Sequence, residues 1–452
     1  MRLVAALALA LVVPAAAQPR LIAVQQPTYP TTYPEHFTGP VLDHLATLPF
    51  DGIVVTALPT WNLMDPAWTW TVDELAVQLQ DVGTRIQAAA PQLQTNLFGV
   101  VIEDPGDVFD DGAWANAVGN WSAAAQAARA AGFAGFYFDV EEYGDPWLNF
   151  PEDYDAPVAD LAAYRAQAQL RGRQVMEAIA AAWPDAVVLF TFGPWLSEPL
   201  TPSDVILFQA GDASNYELLG PLFVGFLEGA TRRNLIVDGG EVYQYRTQQD
   251  FRRAHQWREV RMASDAVDSA FIPETLRPQW GRRVSNGFGV YNIDWLADLG
   301  FDMNPEIMET TLANALDQAD DLVWFYTEEF AGGGGNWYVP GSMPQPWFDA
   351  VAAARAAVTG TPQPTAAVSV AEPALRAWPT PTRGALHVRY ALAAESAATL
   401  DLVDALGRVV WTASVEGGGE PTVPTDGLAP GTYTVRLRGE GTAERARVVV
   451  AR

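Results

Sequence analysis

Gly135-Phe-Tyr-Phe-Asp-Val-Glu141 is the stretch that decides the fold. Side chains on a strand alternate between its two faces. Tyr137, Asp139 and Glu141 therefore share one face, and Phe136, Phe138 and Val140 share the other. The apolar face suits a helix layer. The polar face, ending in two acids, suits the solvent-reached mouth of an enclosed sheet.

Seven further runs outward from this one read as strands: Leu21–Gln25, Gly52–Ala57, Leu97–Ile102, Ala186–Phe192, Asn234–Asp238, Gly287–Ile293 and Asp321–Thr327. Helical patterns lie between or after them at Val41–Leu48, Val72–Ala90, Ala113–Ala131, Ala156–Trp183, Gln248–Ala270, Pro305–Ala319 and Pro346–Val358. The segment Ser203–Gly229 is the least regular, and its apolar run Pro221–Leu227 reads as a further strand. Alternation of buried strands with helices predicts a parallel sheet. Eight units in one domain predict an α/β fold of the closed (β/α)8, TIM-barrel type. A doubly wound open sheet is the alternative. No strand, however, is followed by a GxGxxG or GxxxxGK[ST] phosphate loop.

Active sites of such barrels sit at the carboxyl ends of the strands. Asp139 and Glu141 are about 7 Å apart along the strand at their Cα atoms, from the strand rise. Two ionised acids that close repel, which raises the pKa of one and fits it to donate a proton. The run Val323–Glu328 repeats the pattern: Trp324, Tyr326 and Glu328 share a face, and Glu329 follows. The third strand run leads into Glu103 and Asp104. The sixth ends in Asp238 with Glu241 beyond, and the seventh in Asn292 with Asp294 beyond. The catalytic candidates are Asp139, Glu141, Glu328 and Glu241.

Aromatic residues follow the same strand ends: Trp61, Trp147, Trp195, Tyr243, Tyr245, Trp295, Trp337 and Tyr338. Flat rings beside acids suit sugars, because a ring packs on the apolar face of a pyranose while carboxylates bind its hydroxyls. Hydrolysis of a glycosidic bond needs two carboxyl groups across that bond. The candidates for substrate binding are Tyr137, Trp61, Glu103, Trp195, Asp238, Tyr243, Asn292, Trp324, Tyr326, Glu329 and Trp337. The expected activity is hydrolysis of a polysaccharide or glycan, with Glu141 as general acid, Asp139 tuning it, and Glu328 or Glu241 as second carboxylate. A barrel that binds glycans without cleaving them, and a barrel hydrolase using a metal held by carboxylates, are the rival readings. No cofactor and no metal is expected; the acidic loop Asp104–Asp111 lacks EF-hand spacing.

The stretch Phe133-Ala-Gly-Phe-Tyr-Phe-Asp-Val-Glu141 resembles the strand-four signature of the chitinase and endo-N-acetylglucosaminidase family, roughly F-D-G-[ILVF]-D-[ILVF]-D-x-E. It keeps Phe133, Gly135, Phe136, Phe138, Asp139 and Glu141. It departs at Ala134 and Tyr137, where the family has Asp. The resemblance implies a sugar-cleaving barrel in general, with Glu141 as proton donor, Asp139 orienting substrate and Trp324 resembling the family's tryptophan floor. The Asp missing at position 137 does not favour the family's substrate-assisted chemistry.

Composition narrows the partners. The formal net charge is -27, there is no cysteine, and the 27 basic residues are all arginine. Such a charge repels nucleic-acid phosphates and anionic lipid. Disulfides and thiolate metal sites are excluded. Four scattered histidines, His36, His44, His255 and His387, argue against a histidine zinc centre. At the N-terminus Arg2, the apolar run Leu3–Val13 and the small residues Pro14–Ala17 read as a secretory signal, with cleavage expected before Gln18. That run is too short to span a membrane, so no membrane segment is expected in the mature chain.

Residues 359–377 hold three prolines with Ala, Thr and Val, which is linker chemistry. The expected organisation is a signal at 1–17, the barrel at 18–358, the linker at 359–377 and a small Ig-like β-sandwich at 378–452. The last part shows short strand runs at Leu386–Tyr390, Ala398–Val403, Val409–Val415, Gly431–Leu437 and Ala446–Ala451, with turn residues between. It also resembles the C-terminal sorting domain of the type IX secretion system. Trp378-Pro-Thr-Pro-Thr-Arg-Gly384 is similar to its Y-P-N-P-x-x-G opening. Asp404–Val410 follows D-x-x-G-R-x-V, Gly427–Leu437 follows G-L-x-x-G-x-Y-x-x-x-L, and Arg445–Arg452 is similar to its ending. This implies export through the type IX machinery, to the medium or to the outer-membrane surface.

Overall fold

The computed structural model describes residues 18–102, 105–141, 147–151, 153–154, 157–197, 216–242, 244–263, 272–292, 303–328, 335–359, 375–378, 384–390, 397–403, 408–416, 419, 421–425, 427–429, 431–439 and 442–450. The chain divides into two compact units, Met1–Thr361 and Pro362–Arg452. The signal expected at 1–17 and linker residues 360–374 lie outside the described residues.

In the first unit the strands are β1 (Arg20–Gln25), β2 (Gly52–Val55), β3 (Leu97–Val101), β4 (Gly135–Asp139), β5 (Val187–Phe190), β6 (Leu235–Asp238), β7 (Val284–Asn286), β8 (Phe288–Asn292) and β9 (Leu322–Thr327). They pair in parallel, in the order β7-β6-β5-β4-β3-β2-β1-β9-β8. The two ends of that order are consecutive in the chain. β7 pairs with β6, β8 pairs with β9, and Gly287 joins them, its N–H donating to the Asp238 carbonyl at 2.7 Å. The expected seventh strand is thus longer at its start and split in two. Its first half holds one neighbour and its second half the other, which brings the ring to closure as a (β/α)8 barrel.

The helices are α1 (Gly39–Leu45), α2 (Val72–Leu79), α3 (Val82–Ala89), α4 (Asp111–Ala130), α5 (Leu161–Ala182), α6 (Leu219–Gly229), α7 (Gln248–Ala263), α8 (Trp280–Arg283), α9 (Pro305–Gln318) and α10 (Gln345–Thr359). Side-chain caps start several of them: Thr71 and Glu74 form a capping box at α2, and Asp110, Asp160 and Asn304 cap α4, α5 and α9.

Two expectations need correction here. The single helix expected over Val72–Ala90 is two helices, because Gln80 and Asp81 both take φ of 50°. The break lets α3 meet the end of α4, where the Thr84 N–H donates to the Ala131 carbonyl at 2.9 Å. A side chain on Gly83 would strike the Gly132 backbone at 2.6 Å. The apolar run Pro221–Leu227 is part of helix α6 and not a strand. It is buried on all sides, so it has no polar face to show a helical period. Gly172, Gly225 and Gly229 bring α5 and α6 backbone to backbone; a Cβ on Gly172 would lie 2.1 Å from the Leu222 carbonyl oxygen.

The alternation read from β4 sorts the two sides of the sheet. Phe136 and Phe138 pack in the outer layer, where Phe138 stacks on Trp121 of α4 at 4.8 Å and meets Phe226 of α6 edge-on at 5.4 Å. Inside the ring a separate cluster holds Ile22, Val24, Val54, Leu97, Tyr137, Val187, Leu189, Val237, Tyr291, Leu322 and Trp324. This is a packed core with polar groups above it, as barrels of this kind build. Gly135 starts β4 where a Cβ would lie 1.9 Å from the Val187 carbonyl oxygen. Gly135→Ala must therefore push β4 from β5. We expect it to cost about 1–3 kcal/mol, read as a lower urea midpoint at unchanged slope.

The second unit has two antiparallel sheets. One holds β10 (Leu375–Trp378), β11 (Ala385–Tyr390) and β14 (Thr422–Pro424), in the order β10-β11-β14. The other holds β12 (Ala397–Val403), β13 (Val409–Glu416), β15 (Gly431–Gly439) and β16 (Thr442–Val450), in the order β13-β12-β15-β16. Leu386, Val388, Leu400, Leu402, Val435 and Leu437 are among the residues that fill the core between them, as in a small β-sandwich. β10 and β14 are short and irregular in pattern, and the sequence reading did not separate them.

Candidate active site

The site is built from the carboxyl ends of β4, β6 and β9. β4 ends one step earlier than its pattern suggests, at Asp139, because the chain turns there. The Asp139 carboxylate accepts the Glu141 N–H at 3.1 Å, and the Val140 N–H donates to the Thr191 hydroxyl at 3.3 Å. Asp139 thus fixes the backbone that carries Glu141.

Two tyrosines report on the charges at the mouth. The Tyr326 hydroxyl is held well above its ordinary pKa, first by burial and then by the charges of Glu328, Asp139, Glu241 and Glu141. Tyr137, fully enclosed, is raised likewise, with Asp139, Glu241 and Glu141 among the causes. Asp139, Glu141 and Glu241 therefore act on both rings, and Glu328 acts on Tyr326. Both hydroxyls stay protonated at any physiological pH and remain hydrogen-bond donors among acceptors. The Glu328 carboxyl is itself pushed up, first by burial and then by Glu141. Among the described residues no three His, Asp or Glu side chains stand close enough to hold a metal ion.

Opposite them β1, β2 and β3 present small uncharged side chains. A narrow cleft, with room for about one water molecule at 20 Å³, runs between Asp139, Tyr137 and Tyr326 on one side and Val54, Thr56 and Gly99 on the other. Trp324 lies beneath as an enclosed floor. Its indole donates to the Gly239 carbonyl at 2.9 Å, and Tyr137 and Tyr291 meet it edge-on at 5.7 and 5.3 Å. Trp61 stands at the rim, partly exposed, on the turn after β2.

Other expected site residues are placed elsewhere. Asp238 shares the outward face of β6 with Ile236, and its carboxylate pairs with Arg258 of α7 at 3.0 Å. Trp195 is buried beside it, its indole donating to that carboxylate at 3.1 Å. Trp337 is wholly buried, donates to the Thr327 hydroxyl at 3.0 Å and packs on Phe50 and Phe325. None of these three offers a face to a ligand, which corrects their expected contact with substrate. Asn292 shares the face of Phe288 and Val290, which pack in the outer layer, so it too turns from the mouth. Glu103, Asp104, Tyr243, Asp294, Trp295 and Glu329 lie outside the described residues. The expectation from sequence missed the small-residue wall and the tyrosine at Tyr291; the alternation of Gly289 and Tyr291 against Phe288 and Val290 was the available signal.

No described helix is long and apolar enough to cross a membrane. A search of curated proteins by sequence found no match. Among solved structures the chain is similar to an endo-beta-1,4-mannanase from Thermotoga petrophila, at 10% identity and a TM-score of 0.41, covering 96% of this chain and 98% of that one. It is similar to a GH18 chitinase from Pseudoalteromonas aurantia at 12% identity and 0.32, covering 68% and 93%. A sugar phosphate isomerase/epimerase from Parabacteroides distasonis follows at 11% and 0.35, covering 76% and 99%. Likeness this distant spans several chemistries and decides none of them. The tail is different: residues 376–451 match the secretion system C-terminal sorting domain family, so this chain carries that domain and is exported by the type IX pathway to the cell surface or the extracellular space.

Proposed function

We propose that the barrel is a glycoside hydrolase acting on a polysaccharide or glycan. The observation that carries this reading is a set of carboxylates at one barrel mouth: Asp139, Glu141 and Glu241 act on both Tyr137 and Tyr326, and Glu328 joins them on Tyr326. Glycosidic cleavage needs one protonated and one ionised carboxyl across the bond. Glu141 and Glu328, from β4 and from the end of β9, form that pair. The expectation from sequence made Glu141 the acid. Because Glu328 is raised, first by burial and then by Glu141, we assign the proton-donor role to Glu328 and the ionised role to Glu141. In the proposed mechanism Glu328 donates to the leaving oxygen, and Glu141 acts on the anomeric carbon or on the attacking water. Asp139 holds Glu141, and Glu241 adds to the negative field that stabilises a developing oxocarbenium ion.

The test is a reducing-end assay over a panel of polysaccharides, wild type against Glu141→Gln. Activity lost in EDTA and restored by a divalent ion points instead to the metal hydrolase. Sugar binding with no turnover in any arm points to a binding barrel.

Glu328 also sets a pH dependence of stability. Its folded pKa lies above the ordinary 4.5, so its protonated form favours the fold. That contribution is complete below the unfolded value and is lost as pH rises through the folded value. Glu328→Gln, which cannot ionise, is expected to gain in Tm over wild type as pH climbs from 4 to 7. A difference in Tm that stays flat across that range contradicts the proposed burial of Glu328 against Glu141.

A further inference from the structure

The loops after β1 and β2 carry exposed rings that the small cleft does not use. Tyr29 is 69% exposed, Trp61 39% and Trp68 43%, among the most exposed large apolar side chains described. They are held in place rather than loose. Tyr29 meets Tyr33 edge-on at 5.2 Å, and Trp61 lies beside the Tyr33 hydroxyl. Trp68 stacks on Trp70 at 5.6 Å and 8°, which covers one face and leaves the other to solvent. The Trp70 indole donates at 3.0 Å to Asn62, the neighbour of Trp61. Exposed rings with fixed backs cost little entropy when they bind.

These loops border the pocket. Pro27, two residues before Tyr29, and Thr60, next to Trp61, line the small cleft beside Asp139 and Tyr326. We infer that Tyr29, Trp61 and Trp68 form a binding strip for an uncharged polysaccharide chain, leading it across the β1–β2 rim to the carboxylates. Rings stack on the apolar faces of sugar rings, and successive rings demand a polymer rather than a single sugar. Charge selects the class. The chain carries -27 overall, acids line the mouth, and Glu35 stands beside Tyr33. Uronate-rich and sulfated polymers meet repulsion on this path, and neutral glucans, mannans or xylans do not.

This inference rests on the proposed sugar chemistry, and its test separates the two. Full-length Glu141→Gln protein is run in affinity electrophoresis on neutral glucan, mannan and xylan and on polygalacturonate. Retardation is expected on at least one neutral polymer and not on polygalacturonate at low salt. Adding Trp61→Ala and Trp68→Ala is expected to weaken that retention about tenfold, while Trp61→Phe retains most of it. In the catalytically intact background the ratio of kcat/KM on polymer to that on a short aryl glycoside is expected to fall about tenfold in the same double variant. The strip is refuted by retention unchanged in the alanine variants, by tighter binding of the polyanion, or by no retention on any neutral polymer. Ring-dependent retention without turnover in the wild type refutes the hydrolase and leaves the strip standing. Turnover of short glycosides with ring-independent retention does the reverse.

Discussion

Glu141→Gln is expected to lower kcat about 10²–10⁴-fold on whichever polysaccharide the wild type cleaves, with no loss of Tm. That loss corresponds to about 3–5 kcal/mol of transition-state stabilisation. The side chain keeps its shape and loses only its ionisable oxygen. The turn that presents it does not depend on that oxygen, because Asp139 binds the Glu141 backbone N–H and Thr191 binds that of Val140. The variant also removes the charge that raises Glu328, so the Glu328 carboxyl is expected to titrate lower and the alkaline limb of any residual activity to move down in pH. Circular dichroism and a thermal melt separate lost chemistry from lost fold. A kcat within threefold of wild type sinks the assignment of Glu141 and, with it, the pair.

How much of this was readable from the chain depends on whether a local pattern decided it. β4 was readable because its period of two is unbroken: Tyr137 faces in, Phe136 and Phe138 face out, as the letters alone require. The same reasoning succeeds for Trp324 and Tyr326 on β9. It fails for Asp238 and Asn292, because an acid or amide at a strand end need not face the mouth. Counting parity from Ile236 and Val237 places Asp238 outward, and the residue that explains it, Arg258, is 20 positions away on α7. Trp195 and Trp337 fail for a related reason: a tryptophan after a strand end looks the same in sequence whether it is exposed or buried. Only the partners, Asp238 and Thr327, tell them apart. Helix α6 was unreadable because an element buried all round has no period to find. The raised pKa of Glu328 could not be read at all, since it follows from the burial of its carboxyl and the proximity of Glu141 across the barrel.

The outward turn of Asp238 carries the second large effect, this time on the fold. Arg258→Met is expected to cost about 3–5 kcal/mol, because it leaves a carboxylate buried without its cation. Both side chains of the pair are 3% exposed. Asp238 retains the Trp195 indole and the Gly240 N–H as donors, but neither supplies charge. The guanidinium does more than neutralise. It also donates to the backbone carbonyls of Asp238 at 3.2 Å and Gly287 at 2.8 Å, and it lies over the Phe288 ring at 4.7 Å. Those carbonyls belong to the segment where β6 passes the ring on to β8 and β9, so one side chain ties α7 to the point of closure. Domains of ordinary stability have about 5–15 kcal/mol in all, so the single variant sits near the edge of folding. A double variant, Arg258→Met with Asp238→Asn, removes the stranded charge and is expected to recover about half of the loss, the remainder being the two carbonyl contacts. Urea titration of wild type, both singles and the double gives the coupling directly. A loss under about 1 kcal/mol for Arg258→Met, or singles that add without coupling, means that water reaches Asp238 and the pair is not the clasp of the barrel.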